Sequence, residues 1–165
     1  MAPDIRTRRL TTGDRALARA LFALMADVFG EPHGALGDGY LDRLLGRADF
    51  WAIAGFVGDD LVAGITAHSL PMTTTETSEI FVYDVAVRRD QQRRGVGRRL
   101  MTALRAAAAA QGIHELFVPA DNDDGHALDF YRALGGAPAP VTIFTFSARD
   151  QNENQAGDQD RDPEL

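Results

Sequence analysis

The segment Val85-Ala86-Val87-Arg88-Arg89-Asp90-Gln91-Gln92-Arg93-Arg94-Gly95-Val96-Gly97-Arg98-Arg99-Leu100 constrains this chain more than any other. An apolar strand runs into an arginine-rich turn, and glycines open the helix that follows. The spacing Gln92-x-x-Gly95-x-Gly97 lets backbone pass close to a ligand, because glycine has no Cβ to block the approach. The first N–H groups of a helix lack intrahelical acceptors and carry partial positive charge. Such a turn cradles an anion, and a pyrophosphate is its natural guest. On spacing alone, an ordinary strand-to-helix turn with solvated arginines competes with this reading. Arg88, Arg89, Arg93, Arg94, Arg98 and Arg99 crowd the same stretch, and the planar guanidinium fork suits phosphate oxygens.

The chain is long enough, at 165 residues and 45% apolar, to bury a real core. No stretch approaches the ~20 apolar residues that span a bilayer. Met1-Ala2-Pro3-Asp4-Ile5-Arg6 has no apolar secretory core behind it. With no cysteine, disulfides and thiolate chemistry are excluded. These features predict a cytoplasmic protein. The net charge is −7, and residues 147–165 concentrate acid, with Arg149 and Arg161 facing Asp150, Glu153, Asp158, Asp160, Asp162 and Glu164. The remainder is only mildly acidic, a balance that argues against general nucleic-acid binding and is compatible with cationic small molecules. His33, His68, His114 and His126 show no metal-ligand spacing, so no metal is expected.

The pattern along the chain predicts a strand over Asp4–Leu10 and a helix over Ala16–Phe29 with Asp14 as its cap. A short second helix falls within Gly37–Asp49. Strands over Phe50–Val57 and Leu61–Leu70 form a hairpin across Gly58-Asp59-Asp60. Ser78–Val87, rich in Ile, Phe, Val and Tyr, is the strongest strand. A helix over Gly95–Gln111 ends at Gly112, a short strand covers Ile113–Pro119, and a helix capped by Asp123 or Asp124 runs to Leu134. Val141–Phe146 closes the fold as a last strand. This order gives a mixed α/β domain over residues 1–146. The polar, charged tail 147–165 is expected to be disordered.

Asp84 stands in the middle of Phe81-Val82-Tyr83-Asp84-Val85-Ala86-Val87. A carboxylate there is costly unless paired, solvated or facing a site. A solvated face is one reading. The other is a group that binds an ammonium and takes its proton, a task favoured when burial raises the carboxylate's pKa. Simple alternation puts Glu79 on the opposite face and ranks it lower. Asp121, Asp123 and Asp124 follow a strand end. A helix-capping loop explains them as well as a negative wall for a polycation does, and Glu31 could extend that wall. On spacing alone, Tyr131 reads as a core tyrosine sharing a helix face with Ala127 and Leu134.

The Gln-x-x-Gly-x-Gly turn, its flanking elements and the Phe130-Tyr131 pair resemble the GNAT superfamily of N-acetyltransferases. The resemblance implies a central sheet, mostly antiparallel and splayed at the acetyl-CoA site, with about four helices around it. It implies that acetyl-CoA lies along Val85, Ala86 and Val87 and is held by Gln92, Arg93, Arg94, Gly95, Val96, Gly97 and Arg98. Exposed backbone donors beside Val85 and Val87 would meet the oxyanion. Tyr131 would protonate the departing thiolate. A familiar superfamily pattern has Asn where this chain has Asp124. More narrowly, Ser78–Val87, Leu116–Asp121, Phe130-Tyr131 and Val141–Phe146 are similar to type I aminoglycoside 3-N-acetyltransferases, with coverage from Phe29 to Phe146. That likeness implies acetylation of the 3-amino group of a deoxystreptamine ring by direct attack in a ternary complex. Pro119, Gly125-His126 and the short Glu31–Gly39 loop depart from that family where substrate would be read. Another polyamine, amino sugar or peptide amine is the alternative acceptor, and a non-catalytic CoA-binding sensor is the alternative role. Homodimers are common in the superfamily, which makes one possible here.

Overall fold

The computed structural model describes residues 4–147. They fall into two compact units divided after Leu128. The first unit holds a five-stranded sheet in the order β1 (Ile5–Arg9), β2 (Phe50–Val57), β3 (Asp60–Pro71), β4 (Ser78–Val87) and β5 (Glu115–Phe117). Every pairing is antiparallel except β4 with β5, which is parallel. The helices are α1 (Arg15–Phe29), α2 (Asp38–Leu45), α3 (Val96–Ala109) and α4 (Gly125–Ala133), and a 3₁₀ turn covers Arg89–Gln91. Helix α4 runs from the first unit into the second.

Register sorts the sheet's side chains onto two faces. Phe50, Ala52 and Ala54 stand opposite His68, Thr66 and Gly64, and these stand opposite Phe81, Asp84 and Ala86. Helices α1 and α2 cover this face through Ala18, Leu21, Met25, Leu41 and Leu45. Close approach depends on Gly64, because a Cβ there would lie 2.4 Å from Leu21 Cδ1 and 3.0 Å from Met25 Sδ. The other face carries Trp51, Ile53, Ala63, Ile65, Ala67, Ile80 and Val82, all buried, and packs on α3, whose Leu100 reaches Gly55. Each strand of the sheet's centre is apolar on both sides, so the runs in β2 and β3 read as continuous rather than alternating. Arg9 closes one edge, with its guanidinium carbon 3.6 Å from the centre of the Trp51 ring, a cation–π contact.

The sequence pattern and the structure part in four places. Asp14 does occupy the position before α1, and its carbonyl accepts the first helical bond from Ala18 N–H at 2.8 Å. Its side chain does not cap the helix; it turns back to accept from Thr11 N–H at 2.8 Å and to pair with Arg8. The strand expected over Ile113–Pro119 shrinks to three residues. The closing strand over Val141–Phe146 is absent among the described residues. Its apolar residues suit a pleat, but a strand needs a ladder partner, and Val141, Ile143, Phe144 and Phe146 are instead 71–90% exposed. The face assigned to Glu79 is the fourth, taken up below. The tail expected to be disordered lies, from residue 148 on, outside the described residues.

Candidate active site

Strand β4 is paired along only part of its outer edge. The ladder to β5 joins Glu79, Ile80 and Phe81 to Glu115, Leu116 and Phe117. There β5 ends, while β4 continues six residues further to Val87. Among the described residues, no strand pairs with that stretch on the side away from β3. This is the splay expected at Val85, Ala86 and Val87. Ala86 is buried toward α1, whereas Val85 and Val87 are partly buried on the α3 face opposite Ile65 and Ala63.

Beyond Val87 the chain is held by a compact set of bonds. Arg88 N–H donates to Val62 O at 2.8 Å, and Gln91 N–H donates to Arg88 O at 2.8 Å. Gln92 Nε2 donates back to Val87 O at 3.0 Å, locking the turn to the strand end. Arg88 grips Asp90 through two bonds of 2.6 and 2.9 Å. That grip, with a bond from Gln91, lowers the Asp90 pKa to about 2. Arg88 and Asp90 therefore staple the turn. Arg93 adopts φ 61° and Gly95 φ 85°. The left-handed conformation is uncommon for arginine and ordinary for glycine. Helix α3 then starts at Val96 with no side-chain cap, so the N–H groups of Val96 and Gly97 have no acceptor within the helix. A Cβ on Gly95 would meet no protein atom within 4 Å, so the space beside it is open. Arg89, Arg93, Arg94, Arg98 and Arg99 are exposed around it. Arg94 donates to Gln91 Oε1 at 3.0 Å. The residues present fit a phosphate-bearing arm: donors, open space and unburied guanidinium groups converge on one turn.

Asp84 sits one step back along β4, half-buried on the α1 face. Thr66 Oγ1, buried on β3, donates to its Oδ2 at 3.3 Å. Burial raises the Asp84 pKa above the ordinary carboxylate value; the Thr66 bond opposes this, and the negative charge of Glu31 adds to the rise. Sequence reasoning missed why Asp84 is there. The ladder slips between Thr66 and Ala67, so Tyr83 is an extra residue with no partner in β3. This β-bulge shifts the parity of β4. Glu79 faces Leu70, Phe81 faces His68 and Asp84 faces Thr66, and the β3 partners are evenly spaced at two residues. Glu79 and Asp84 therefore share one face, contrary to the simple alternation. The buried polar Thr66 within an apolar strand was the available signal.

The structure joins Glu31, which follows α1 and is exposed, to Asp84 electrostatically. Asp121 and Asp124 make local bonds. Asp121 Oδ1 accepts from Asp123 N–H at 2.9 Å, and Asp124 Oδ1 accepts from Ala127 N–H at 3.0 Å. Asp124 is thus the cap of α4, and the capping reading of this loop is met. Tyr131 belongs to the second unit, partly buried, with its ring edge-on to Phe130 at 5.1 Å. Among the described residues, no group of three His, Asp or Glu is arranged to hold a metal ion, and no helix is long and apolar enough to cross a membrane.

Residues 18–135 match the GNAT acetyltransferase family, a span that includes β4, the cradle and α3. This chain belongs to the GNAT family of acetyltransferases. Among solved structures, this acetyltransferase is similar to an aminoglycoside acetyltransferase from an uncultured soil metagenomic sample, solved with sisomicin. The two share 30% identity and a TM-score of 0.82 over 87% of this chain and 95% of the other. A second soil-metagenome aminoglycoside acetyltransferase gives 29% identity and a TM-score of 0.84, covering 88% and 99%. An aminoglycoside N-acetyltransferase solved with CoA has the same fold at 14% identity, with a TM-score of 0.73 over 90% and 97%. No curated protein sequence matches this acetyltransferase.

Proposed function

We propose that this acetyltransferase moves the acetyl group of acetyl-CoA to the 3-amino group of an aminoglycoside's deoxystreptamine ring, by direct attack in a ternary complex. The observation that carries the reading is the place of Asp84: a half-buried carboxylate of raised pKa beside the open stretch of β4. An ammonium acceptor has no free lone pair. Asp84 takes one proton, directly or through water, and the freed nitrogen attacks the thioester carbonyl. Backbone N–H groups of the open β4 edge near Val85 and Val87 stabilise the oxyanion. Collapse breaks the C–S bond, and the resemblance to the family assigns Tyr131 as the acid that protonates the thiolate. The second proton leaving nitrogen restores the phenol, so the cycle releases one proton through Asp84. Val85, Ala86 and Val87 line the pantetheine arm. Gln92 holds the turn, and Arg93, Arg94, Gly95, Val96, Gly97 and Arg98 hold the phosphates. Glu31 and Glu79, with Asp121, Asp123 and Asp124, supply negative charge for a polycation. The aminoglycoside neighbours support this acceptor class. The catalytic domain is assigned to residues 1–146.

The test is thiol release from acetyl-CoA with gentamicin, kanamycin, neomycin, spermidine and a lysine peptide as acceptors. Turnover with the aminoglycosides alone, and product NMR placing acetyl on the 3-amino group, is the expected result. Turnover with spermidine or the peptide alone would move the acceptor to another amine. CoA binding without turnover on any amine would leave a sensor.

A further inference from the structure

The bulge that brings Asp84 onto the α1 face leaves Tyr83 in an unusual position. Its neighbours Ile80 and Val82 are fully buried, yet Tyr83 is 62% exposed. The ring is not loose. It stands edge-on to Phe81 at 5.6 Å and 88°, and to His68 at 6.1 Å and 76°. Phe81 continues to Phe117 at 5.2 Å, and His68 to Phe50 at 5.3 Å. A row of rings thus crosses β2, β3, β4 and β5, with Tyr83 as its most exposed member. Edge-to-face contacts of this kind fix ring orientation.

We infer that Tyr83, held by Phe81 and His68, forms a second subsite beside Asp84 that takes a further ammonium-bearing ring of a polycationic amino sugar. The inference rests on the acceptor class proposed above. Three properties of the face point to this occupant. Exposed aromatic faces attract ammonium groups through their quadrupole. Glu79 and Asp84 stand on the same face as the rings, and Glu31 acts on Asp84 from beyond α1, so the surroundings favour cations. Tyr83 is also adjacent in sequence to the carboxylate that would hold the reacting amine. A single-ammonium amine can use Asp84 alone, whereas a polycation with several amines can use both. Tyr83 is therefore a determinant of preference between acceptors rather than of the chemical step.

Calorimetric binding in the presence of CoA tests this without relying on turnover. Neomycin and cyclohexylamine would be titrated into the wild-type protein and into Tyr83→Ala and Tyr83→Phe. The preference for neomycin over cyclohexylamine is expected to fall about tenfold in Tyr83→Ala, a size within the cation–π range. Tyr83→Phe is expected to keep it, because the ring and not the hydroxyl makes the contact. An unchanged preference in Tyr83→Ala overturns the inference, as does an equal loss in Tyr83→Phe or no neomycin binding by the wild type. Tyr83 is exposed, so neither variant threatens the fold. The two proposals fail separately. Aminoglycoside turnover with no effect of Tyr83→Ala on preference leaves the activity and removes the subsite. Neomycin bound through Tyr83 with no acetyl transfer leaves the subsite and removes the activity.

Discussion

At the residue scale, Asp84 combines a cost with a use. Its pKa is raised in the folded state, so ionising it there is harder than in the unfolded chain. The penalty is absent below the unfolded pKa and is fully present once pH passes the folded value. Asp84→Asn removes that penalty at neutral pH. It is expected to lower turnover by at least about 10²-fold, the range for losing a positioned base, while leaving the melting temperature unchanged or higher. Paired kinetics and thermal unfolding check both halves; wild-type turnover in the variant would remove Asp84 from the mechanism. On the proposed mechanism the same carboxylate sets the acid limb of the rate profile. Glu31→Gln takes away a charge that raises the Asp84 pKa, so the limb should move to lower pH. Thr66→Val takes away a bond that lowers it, so the limb should move to higher pH. The two variants shift in opposite directions only if Asp84 is the group that titrates in kcat/KM.

At the scale of elements, the glycines of the sheet and the cradle do different work. Gly64 lets α1 lie close on β3. Gly64→Ala places a methyl 2.4 Å from Leu21 Cδ1, so the fully buried Leu21 or the α1 backbone must shift. The expected loss is about 1–3 kcal/mol in denaturant unfolding, and pairing it with Leu21→Ala should cost less than the two changes summed. A Cβ on Gly95 would meet no protein atom within 4 Å, so the constraint there is backbone conformation and the space beside the turn. Gly95→Val adds about 1–2 kcal/mol of left-handed strain and a branched side chain in that space. The Kd for acetyl-CoA should rise at least about tenfold, with little change in Tm beyond the strain. Most of these elements were legible in the sequence because each has a local cause. The Gly95 turn, the β2–β3 hairpin and the helical spacing of Leu17, Leu21, Leu24, Met25 and Val28 need only a few neighbouring residues. The bulge at Tyr83 was not legible, because it arises from the match between β3 and β4, and strict alternation put Glu79 on the wrong face. The segment Val141–Phe146 shows the converse failure: strand-like composition names a candidate, but only a partner edge makes a strand. The role proposed for Tyr131 rests on family resemblance, since local spacing by itself reads as a core tyrosine.

At the scale of the whole molecule, charge is placed against the chain's own average. The protein carries −7 overall, yet Arg88 to Arg99 holds six arginines against the single Asp90, and that acid is already tied to Arg88. On the proposed function, two opposite substrates are served by two local fields, a cationic turn for the phosphates and an acidic face for the amine. Ionic strength separates this arrangement from a uniformly acidic surface. Added salt screens both local attractions, so KM for acetyl-CoA and KM for a polycationic acceptor should both rise several-fold between about 0.02 and 0.3 M salt, with kcat little changed. A single-ammonium acceptor should respond less, because fewer charges are screened. If the net charge governed approach instead, screening would relieve repulsion of the anionic acetyl-CoA, and its KM would fall as salt is added. The sign of that one slope decides whether the arginines of the turn, rather than the charge of the whole chain, capture the cosubstrate.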